Sequence, residues 1–368
     1  MKKYNLITAS LLALGLTACG AQNTSTTNES TSVQVTSAPG APGVEPFWAY
    51  AGKTGIGTSF EEYKNGQYSD TAATGNVSKV WFSIAKGMIT ETMFGLIHQA
   101  QIKDMQFIVT GKDFTVTESD DLDVTIDYLY KDEQGRPLSL AYKVTSTDKQ
   151  GRFSLEKHIF TDPDTQTLFV RSVFNTELEG LKAYVAVNPY INNNGLGDFA
   201  KTTDQGLVAW EGDNYLTLQS SSPFKAKTVG FTGESDGINS LKTTQAINNQ
   251  YTNTGEVSGN VNMLAELGDI SNNTTFDLAL SFGKTQQQSI QQGEQSLAKG
   301  YQAVLDHYNG KGDALGWQDY LQSLKPLNTM TEQTADNGKL LYTSAMVLKA
   351  QEDKTHAGAL IASLSNPW

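Results

Sequence analysis

The sequence predicts a mainly β protein in which one large antiparallel two-sheet β-sandwich is followed by a smaller helical segment. Short runs of alternating apolar and polar residues recur about every 8 to 15 residues between positions 46 and 284, separated by Gly, Asn and Asp. No helical pattern alternates with these runs, which argues against a parallel α/β sheet. After Thr285 the apolar spacing changes to three and four residues, which is typical of amphipathic helices.

The predicted elements divide the chain into regions. The clearest strand patterns lie at residues 138–144, 153–160, 167–174, 182–187, 215–218 and 276–282. One amphipathic helix is predicted to carry Ile290, Leu297, Tyr301, Val304, Leu305 and Tyr308, and glycines at 310 and 312 end it. Shorter helices are predicted at 314–324 and 336–350, the last with Leu341, Ala345 and Leu348 on its apolar face. We assign 46–284 to the sandwich, 285–328 to linker helices and 329–368 to the start of a further domain.

Composition and charge exclude several classes of protein. The 368 residues are 38% hydrophobic, which is enough for a sizeable core. The net charge of −12 disfavours binding to a phosphate backbone, so we expect no nucleic-acid partner. The single cysteine, Cys19, excludes internal disulfides and cysteine-based zinc sites. The four histidines are too few for a histidine metal cage, and we expect each to be structural.

The amino terminus has the pattern of an export signal. Lys2 and Lys3 precede an apolar stretch, residues 6–16, that is too short to span a bilayer. Residues 16–19, Leu-Thr-Ala-Cys, resemble a bacterial lipobox, so we expect a signal peptide at 1–19 and a lipid on Cys19. Gly20, by resemblance to Gram-negative lipoproteins, favours the outer membrane. An ordinary secretion signal with a chance cysteine is the alternative. Residues 20–45, rich in Ser, Thr, Pro and Gly, are expected to form a flexible tether.

The search for catalytic and ligand motifs is largely negative. The sequence contains no complete phosphate-binding loop, no dinucleotide fingerprint, no His-Glu-x-x-His and no Gly-x-Ser-x-Gly. The acidic run Glu118-Ser119-Asp120-Asp121-Leu122-Asp123 could hold calcium, although such runs are more often solvated loops. We otherwise expect no cofactor. Exposed Trp or Tyr rings could stack on the C–H face of a sugar, although most are expected in the core.

Residue order identifies a family resemblance. The chain from about Trp48 to Trp368 resembles the amino-terminal part of bacterial glucoamylases and glucodextranases, which are glycoside hydrolases of family 15. The segments that carry the resemblance occur in one order along the chain: GIGTS (55–59), SKVWF (78–82), GMITE (87–91), DMQFIVTG (104–111), KHIFTDP (157–163), NPY (188–190), SDG (235–237), LKAQEDK (348–354) and GALIASLSNPW (358–368).

The resemblance implies a fold and an activity. It implies a glucodextranase N-domain-like, galactose-mutarotase-like sandwich, linker helices and the first helix of a truncated α/α six-hairpin barrel. It also implies exo-acting, inverting hydrolysis of an α-glucosidic bond in starch, maltodextrin or dextran. In the family both catalytic glutamates lie beyond the segment matched by 358–368, so no catalytic residue is assigned here. Glu352 and Asp353 are expected at a helix end or on the surface.

Three expectations follow for this chain. We expect a monomer that binds α-glucan and has no glucosidase activity by itself; the alternative is a non-catalytic surface lipoprotein that binds α-glucan. A structural or adhesive surface protein is a third reading. The sandwich is expected to fold alone because it has its own core. Residues after about Thr329 are expected to be mobile or packed on the sandwich.

Overall fold

A computed structural model of the chain describes residues 36–47, 50–64, 66–68, 77–119, 122–324 and 327–364. Its strands are β1 Lys53–Thr58, β2 Tyr63–Lys64, β3 Gln67–Tyr68, β4 Val80–Ala85, β5 Met88–Phe94, β6 Ala100–Thr110, β7 Thr115–Thr117, β8 Leu122–Tyr128, β9 Tyr142–Asp148, β10 Ser154–Asp162, β11 Thr167–Asn175, β12 Lys182–Pro189, β13 Phe199–Thr202, β14 Leu207–Glu211, β15 Asn214–Ser220, β16 Ala226–Phe231, β17 Val261–Asp269 and β18 Thr274–Gly283. Its α-helices are α1 Gly237–Thr244, α2 Gln286–Lys299, α3 Tyr301–Asn309, α4 Trp317–Ser323, α5 Leu327–Met330 and α6 Lys339–Ala350.

Two eight-stranded sheets form the body of the protein. The first sheet has the order β1-β4-β5-β6-β12-β17-β16, with β7 also paired to β6. The second sheet has the order β13-β14-β15-β18-β11-β10-β9-β8. Neighbouring strands in both sheets pair antiparallel. The predicted mainly β sandwich is therefore confirmed.

The period-two alternation of the sequence accounts for the two faces of each strand. In β10, Leu155 and Ile159 are buried in the core, whereas Glu156 and His158 point the other way and are partly exposed. Leu155 lies opposite Phe174 of β11, and Ile159 lies opposite Val170, so apolar residues meet across the strands. Stacking two such faces buries the apolar side chains of both sheets between them.

The helices after the sandwich pack on it rather than apart from it. Helix α2 lies over β15 and β18, and α3 lies over β10. Gly293 of α2 permits this close approach, because a Cβ there would lie 2.0 Å from Gln219 Oε1. Tyr308 and Met346 are fully buried and belong to the same hydrophobic cluster as the sandwich core. Of the two alternatives for residues after Thr329, the structure shows packing on the sandwich.

The last part of the segment predicted as a tether, from Thr36 onward, is docked on the sandwich. The signal peptide, Cys19 and residues 20–35 lie outside the described residues, but from Thr36 onward the chain is docked. Ala38 N donates to Asn253 O at 2.8 Å, and Val44 N donates to Thr232 O at 2.9 Å. Ala38 is also buried. Composition did not indicate this docking because backbone groups, which every residue type carries, make most of the contacts.

Several element boundaries also differ from prediction. The strand expected at 138–144 begins only at Tyr142, where pairing with β8 starts. The helix predicted to carry Ile290 and Tyr308 is two helices, divided at Gly300, whose φ of 78° lies outside the helical region. Helix α6 buries Tyr342, Met346 and Ala350 instead of the predicted face; Leu341 and Ala345 pack at the edge of the core, and Leu348 is 64% exposed.

The described helices were also compared with the requirements of a membrane span. None of them combines the length and the apolar character needed to cross a lipid bilayer.

Candidate functional site

Three aromatic side chains form a row across the second sheet. Phe199 of β13 lies opposite Trp210 of β14, which lies opposite Tyr215 of β15. The Phe199 and Trp210 ring centroids are 5.5 Å apart, and those of Trp210 and Tyr215 are 6.3 Å apart, with interplanar angles of 15° and 14°. All three side chains are partly exposed. We call these three residues the aromatic row.

The hairpin between β14 and β15 sets the register of the row. Glu211 pairs with Asn214, so Gly212 and Asp213 form a two-residue turn. Gly212 has a φ of 58°, as the first central residue of a type II′ turn requires. A shift of the register by one residue would move Trp210 and Tyr215 to opposite faces of the sheet.

One charged side chain, that of Lys201, lies beside the aromatic row. The ammonium of Lys201 lies 5.4 Å from the centroid of Trp210, within the range of a cation–π contact. Asn214 precedes Tyr215 in β15, so its side chain points to the other face of the sheet, where Lys284 Nζ lies 2.8 Å from Asn214 Oδ1 and 3.3 Å from Asp213 Oδ2. Aromatic surface with adjacent hydrogen-bonding groups is the combination that suits a sugar ring, which has an apolar C–H face and polar hydroxyls.

The other tryptophans do not offer such a surface in the described residues. Trp81 and Trp317 are fully buried, in agreement with the expectation that most aromatic residues lie in the core. Trp48 and Trp368 lie outside the described residues. The sequence contained the signal for the Trp210–Tyr215 pair, because the Gly-Asp turn between them predicts a tight hairpin. It contained no signal that Phe199 would join them from a different hairpin.

A second cluster joins the helices to the end of β1. The carbonyl oxygen of Thr58 accepts hydrogen bonds from Tyr308 Oη at 2.9 Å and from Trp317 Nε1 at 3.0 Å. Lys354, which follows α6, donates to Thr58 Oγ1 at 2.7 Å. Three separate parts of the helical segment therefore meet at Thr58. We call these four residues the Thr58 cluster.

Lys354 fixes the carboxyl-terminal segment to the sandwich. Besides Thr58 Oγ1, its ammonium donates to Ser59 O at 2.8 Å and to Ser78 O at 2.7 Å. The residue is only 7% exposed. Burial lowers the pKa of Lys354 to about 8, although the nearby carboxylate of Glu61 opposes this effect.

One side of the carboxyl-terminal region remains apolar and exposed. Leu340 and Leu348 of α6 are 68% and 64% exposed, and Leu360 is 57% exposed. Leu340 and Leu348 are eight residues apart, so they lie on the same side of the helix. Large exposed apolar side chains that lie together mark surfaces that pack against other protein.

The two acidic residues near the end of α6 have structural contacts. Glu352 Oε2 accepts a hydrogen bond from Tyr68 Oη at 2.9 Å and lies 2.5 Å from Lys349 Nζ. Asp353 is buried, and its Oδ1 accepts a hydrogen bond from Thr355 N at 2.9 Å. These contacts correspond to the helix-end roles expected for both residues.

Two of the histidines make buried hydrogen bonds. His158 Nδ1 lies 2.6 Å from Tyr301 Oη, and its Nε2 lies 2.8 Å from Glu156 Oε1. Burial lowers the pKa of His158, although Glu156 opposes the shift. His307 Nδ1 lies 3.1 Å from Asp164 Oδ2. Burial would raise the pKa of Asp164, but hydrogen bonds from His307 and Lys299 lower it to about 2.

The first residue of the acidic run has a partner in the core. Glu118 Oε1 forms an ion pair with Lys157 Nζ, and its Oε2 accepts a hydrogen bond from Phe107 N at 2.8 Å. Lys157 is fully buried, and burial lowers its pKa. Asp120 and Asp121 lie outside the described residues, and Asp123 is exposed. No group of three or more acidic, His or Cys side chains suited to a metal occurs in the described part of the chain.

Known proteins resemble this chain in both sequence and structure. The sequence profile of the family described as "Glucodextranase, domain N" matches residues 38–322. A glucoamylase from Clostridium sp. (strain G0005) is 34% identical over 341 residues, which cover 90% of this chain and 43% of that protein. A bacterial glucoamylase crystallised with acarbose has a TM-score of 0.75 and 30% identity, over 90% of this chain and 45% of that one.

The chain thus spans less than half the length of the glucoamylases that it matches. The family match begins at Ala38, where the described chain docks on the sandwich, and ends within α4. It therefore includes both sheets, the aromatic row and most of the Thr58 cluster. The resemblance to bacterial glucoamylases and glucodextranases is confirmed, and the chain belongs to the glucodextranase domain N family.

Proposed function

We propose that this chain is the amino-terminal portion of an exo-acting, inverting hydrolase of α-glucans, of the glucoamylase type. The observation that carries the proposal is the family match, which covers the sandwich and the first linker helices in one stretch. The exposed leucines of α6 support it, because they form a surface suited to packing against further helices. In this proposal α6 is the first helix of an α/α barrel that carries the reaction.

The proposed reaction needs two carboxyl groups. One carboxylic acid protonates the leaving oxygen, while a carboxylate activates water on the opposite face of the sugar. In an inverting enzyme the two are separated by about 6.5–9.5 Å, which leaves room for that water. We assign neither role to Glu352 or Asp353, because both already have contacts at the end of α6. We propose that the acid and the base belong to the part of the glucoamylases that this chain does not match.

An activity assay tests this assignment. The 368-residue protein is incubated with maltooligosaccharides and isomaltooligosaccharides, and the anomer of any released glucose is followed by NMR. We expect no release above the uncatalysed background. Release of β-glucose at enzymatic rates would show that the acid and base are within these residues. The substitutions Glu352→Gln and Asp353→Asn, made separately, would then show whether either residue carries the reaction.

A second candidate function is binding of α-glucan by the sandwich itself. The aromatic row favours it, because three partly exposed rings lie together on one face with Lys201 beside them. Apolar contact with aromatic rings would hold the sugar, and the neighbouring polar groups would supply hydrogen bonds. The chain would then bind starch, maltodextrin or dextran without cleaving it. We propose that it does so as a monomer.

Titration calorimetry with maltoheptaose tests the second candidate. Trp210→Ala removes the central ring and is expected to weaken binding about 5- to 30-fold, since a stacked aromatic ring contributes about 1–2 kcal/mol. Phe47→Ala is the matched control, because Phe47 is 53% exposed but lies outside the aromatic row. Equal affinities of wild type and Trp210→Ala, or no measurable affinity in the wild type, would contradict glycan binding at this surface.

We also propose that the protein is exported and attached to the outer membrane through a lipid on Cys19. The lipobox pattern at residues 16–19 and the position of the chain's single cysteine support this. Residues 20–35 would then connect the membrane to the docked segment that begins at Thr36. Such an anchor would hold the sandwich close to polymeric substrate outside the cytoplasm.

A further inference from the structure

Two carboxylates lie together at one end of the sandwich, beside the loop that connects β12 to β13. Asp198, at the end of this loop, is fully buried, and Glu211 is the last residue of β14. The Glu211 carboxylate lies directly against Gly197, where a Cβ would be only 1.9 Å from its Oε1. Since Gly197 precedes Asp198 in the chain, the two acidic side chains belong to one small region.

Each carboxylate has one oxygen that is held and one that is not. Asp198 Oδ1 accepts a hydrogen bond from Ile191 N at 3.3 Å, and Glu211 Oε1 accepts one from Asn194 Nδ2 at 2.6 Å. Asp198 Oδ2 and Glu211 Oε2 are both buried and have no hydrogen-bond partner among the described residues. No lysine or arginine in the described ranges forms an ion pair with either residue.

This arrangement is unfavourable unless the charge is compensated. A buried carboxylate oxygen without a partner loses its hydration and gains nothing in exchange. Asp198 and Glu211 are also close enough for their charges to repel each other. A cation between the two free oxygens would supply the missing contacts and neutralise the repulsion.

The surrounding loop suits an oxygen-ligated ion. It contains three consecutive asparagines, and Asn192 and Asn193 adopt the left-handed conformation, with φ near 60°. The side-chain oxygens of all three already accept hydrogen bonds, so further ligands would come from main-chain carbonyls and water. Hydrogen bonds attach the loop to β6 and to β14. Asn193 Oδ1 accepts a hydrogen bond from Ala100 N at 2.8 Å, and Asn194 Nδ2 donates one to Glu211 Oε1. The free oxygens are thus held on a fixed backbone. Ca²⁺ prefers carboxylate, amide and carbonyl oxygens in a flexible number and geometry.

We propose that Asp198 and Glu211 hold a calcium ion at this end of the sandwich. Asp198 Oδ2 and Glu211 Oε2 are the two carboxylate ligands, and loop oxygens and water complete the coordination. The site is separate from the acidic run at 118–123, and it does not depend on the proposed hydrolase or glycan-binding function. The ion fastens the β12–β13 loop to the β14–β15 hairpin, which also carries Trp210 and Tyr215 of the aromatic row.

Terbium and calcium binding to the full chain test the proposal. After removal of metals, Tb³⁺ is added and its luminescence is excited through tryptophan, because Trp210 is adjacent to Glu211 in the chain. We expect saturable luminescence that Ca²⁺ displaces. Saturating Ca²⁺ is also expected to raise the melting temperature by about 3–5 °C, since an ion that binds only the folded state stabilises it.

Three variants locate the site. Asp198→Asn and Glu211→Gln keep the shape of each side chain and should each abolish the calcium-dependent rise in melting temperature. Without calcium, Asp198→Asn should melt no lower than wild type, because it removes a buried charge. Asp123→Asn is the matched control and should keep the full response. The proposal is overturned if Ca²⁺ does not raise the melting temperature of the wild type. It is also overturned if Asp123→Asn is the only variant that loses this rise.

Discussion

At the scale of single residues, Thr58 and Lys354 connect parts of the chain that are almost 300 positions apart. Thr58 O accepts from Tyr308 and Trp317, while Lys354 Nζ donates to Thr58 Oγ1 and to two carbonyl oxygens. Each donor is buried, so loss of any of them removes a hydrogen bond that water does not readily replace. The sequence contained no signal for this cluster, because a buried lysine is uncommon and the contact joins two distant segments.

The unusual environment of Lys354 predicts a pH dependence of stability. Its pKa is about 8 in the folded protein and 10.5 as the unperturbed value. Between these values the unfolded state binds more protons, so the contribution of Lys354 to stability increases as the pH rises from 8 to 10.5. Lys354→Met removes this contribution. The free energy of unfolding of both proteins is measured in urea at pH 7, 8, 9 and 10. The value for wild type minus that for Lys354→Met should increase by about 2 kcal/mol across this range.

A lysine on the surface provides the control for this measurement. Lys339→Met changes an exposed lysine at the start of α6, and its unfolding free energy should follow that of wild type at every pH. At pH 7, Lys354→Met should already be less stable by about 1–3 kcal/mol, because three buried oxygens lose their donor. If the difference in unfolding free energy between wild type and Lys354→Met stays constant from pH 7 to 10, the lowered pKa of Lys354 is refuted.

At the scale of elements, local patterns predicted the type of each segment better than its limits. The alternating patterns at 153–160 and 215–218 are local, and β10 and β15 were predicted from them. Gly300 was overlooked because the apolar spacing continues across it, from Leu297 to Tyr301 and Val304. The prediction of which face of α6 is buried was wrong. The position of the helix on the sandwich decides which of its sides is covered, and the apolar spacing within the helix does not show that position.

The candidate sites also differ in whether their residues are close together in the sequence or are brought together only by the fold. Trp210 and Tyr215 come from one hairpin, so their pairing follows from a two-residue turn. Asp198 ends the loop before β13 and Glu211 ends β14, and only the folded loop brings them together. A pattern within one segment of sequence therefore predicts two of the three residues of the aromatic row, and it does not predict the carboxylate pair.

At the scale of the whole molecule, the helical segment completes the sandwich. Phe160 and Phe169, on the outer side of the second sheet, are fully buried, and both rings lie close to Tyr301 of α3. Trp317 is fully buried against Phe60. The sequence-based expectation that the sandwich folds alone considered only the core between the sheets. The structure adds a second apolar layer between the second sheet and the helices.

This second layer predicts the outcome of truncation. A chain that ends at Lys284 loses α2 to α6 and exposes large aromatic side chains, each of which contributes about 1.5–3 kcal/mol when buried. Because the total stability of a domain is only about 5–15 kcal/mol, we expect this truncated chain to be aggregated or to unfold well below the melting temperature of the full chain. Scanning calorimetry and binding of a hydrophobic dye measure both effects. A chain that ends at Met330 keeps Tyr308 and Trp317 but loses α6 and Lys354, so it should melt between the chain ending at Lys284 and the full chain. If the chain ending at Lys284 melts cooperatively at the temperature of the full protein, the helices are an appendage and the sandwich is self-sufficient.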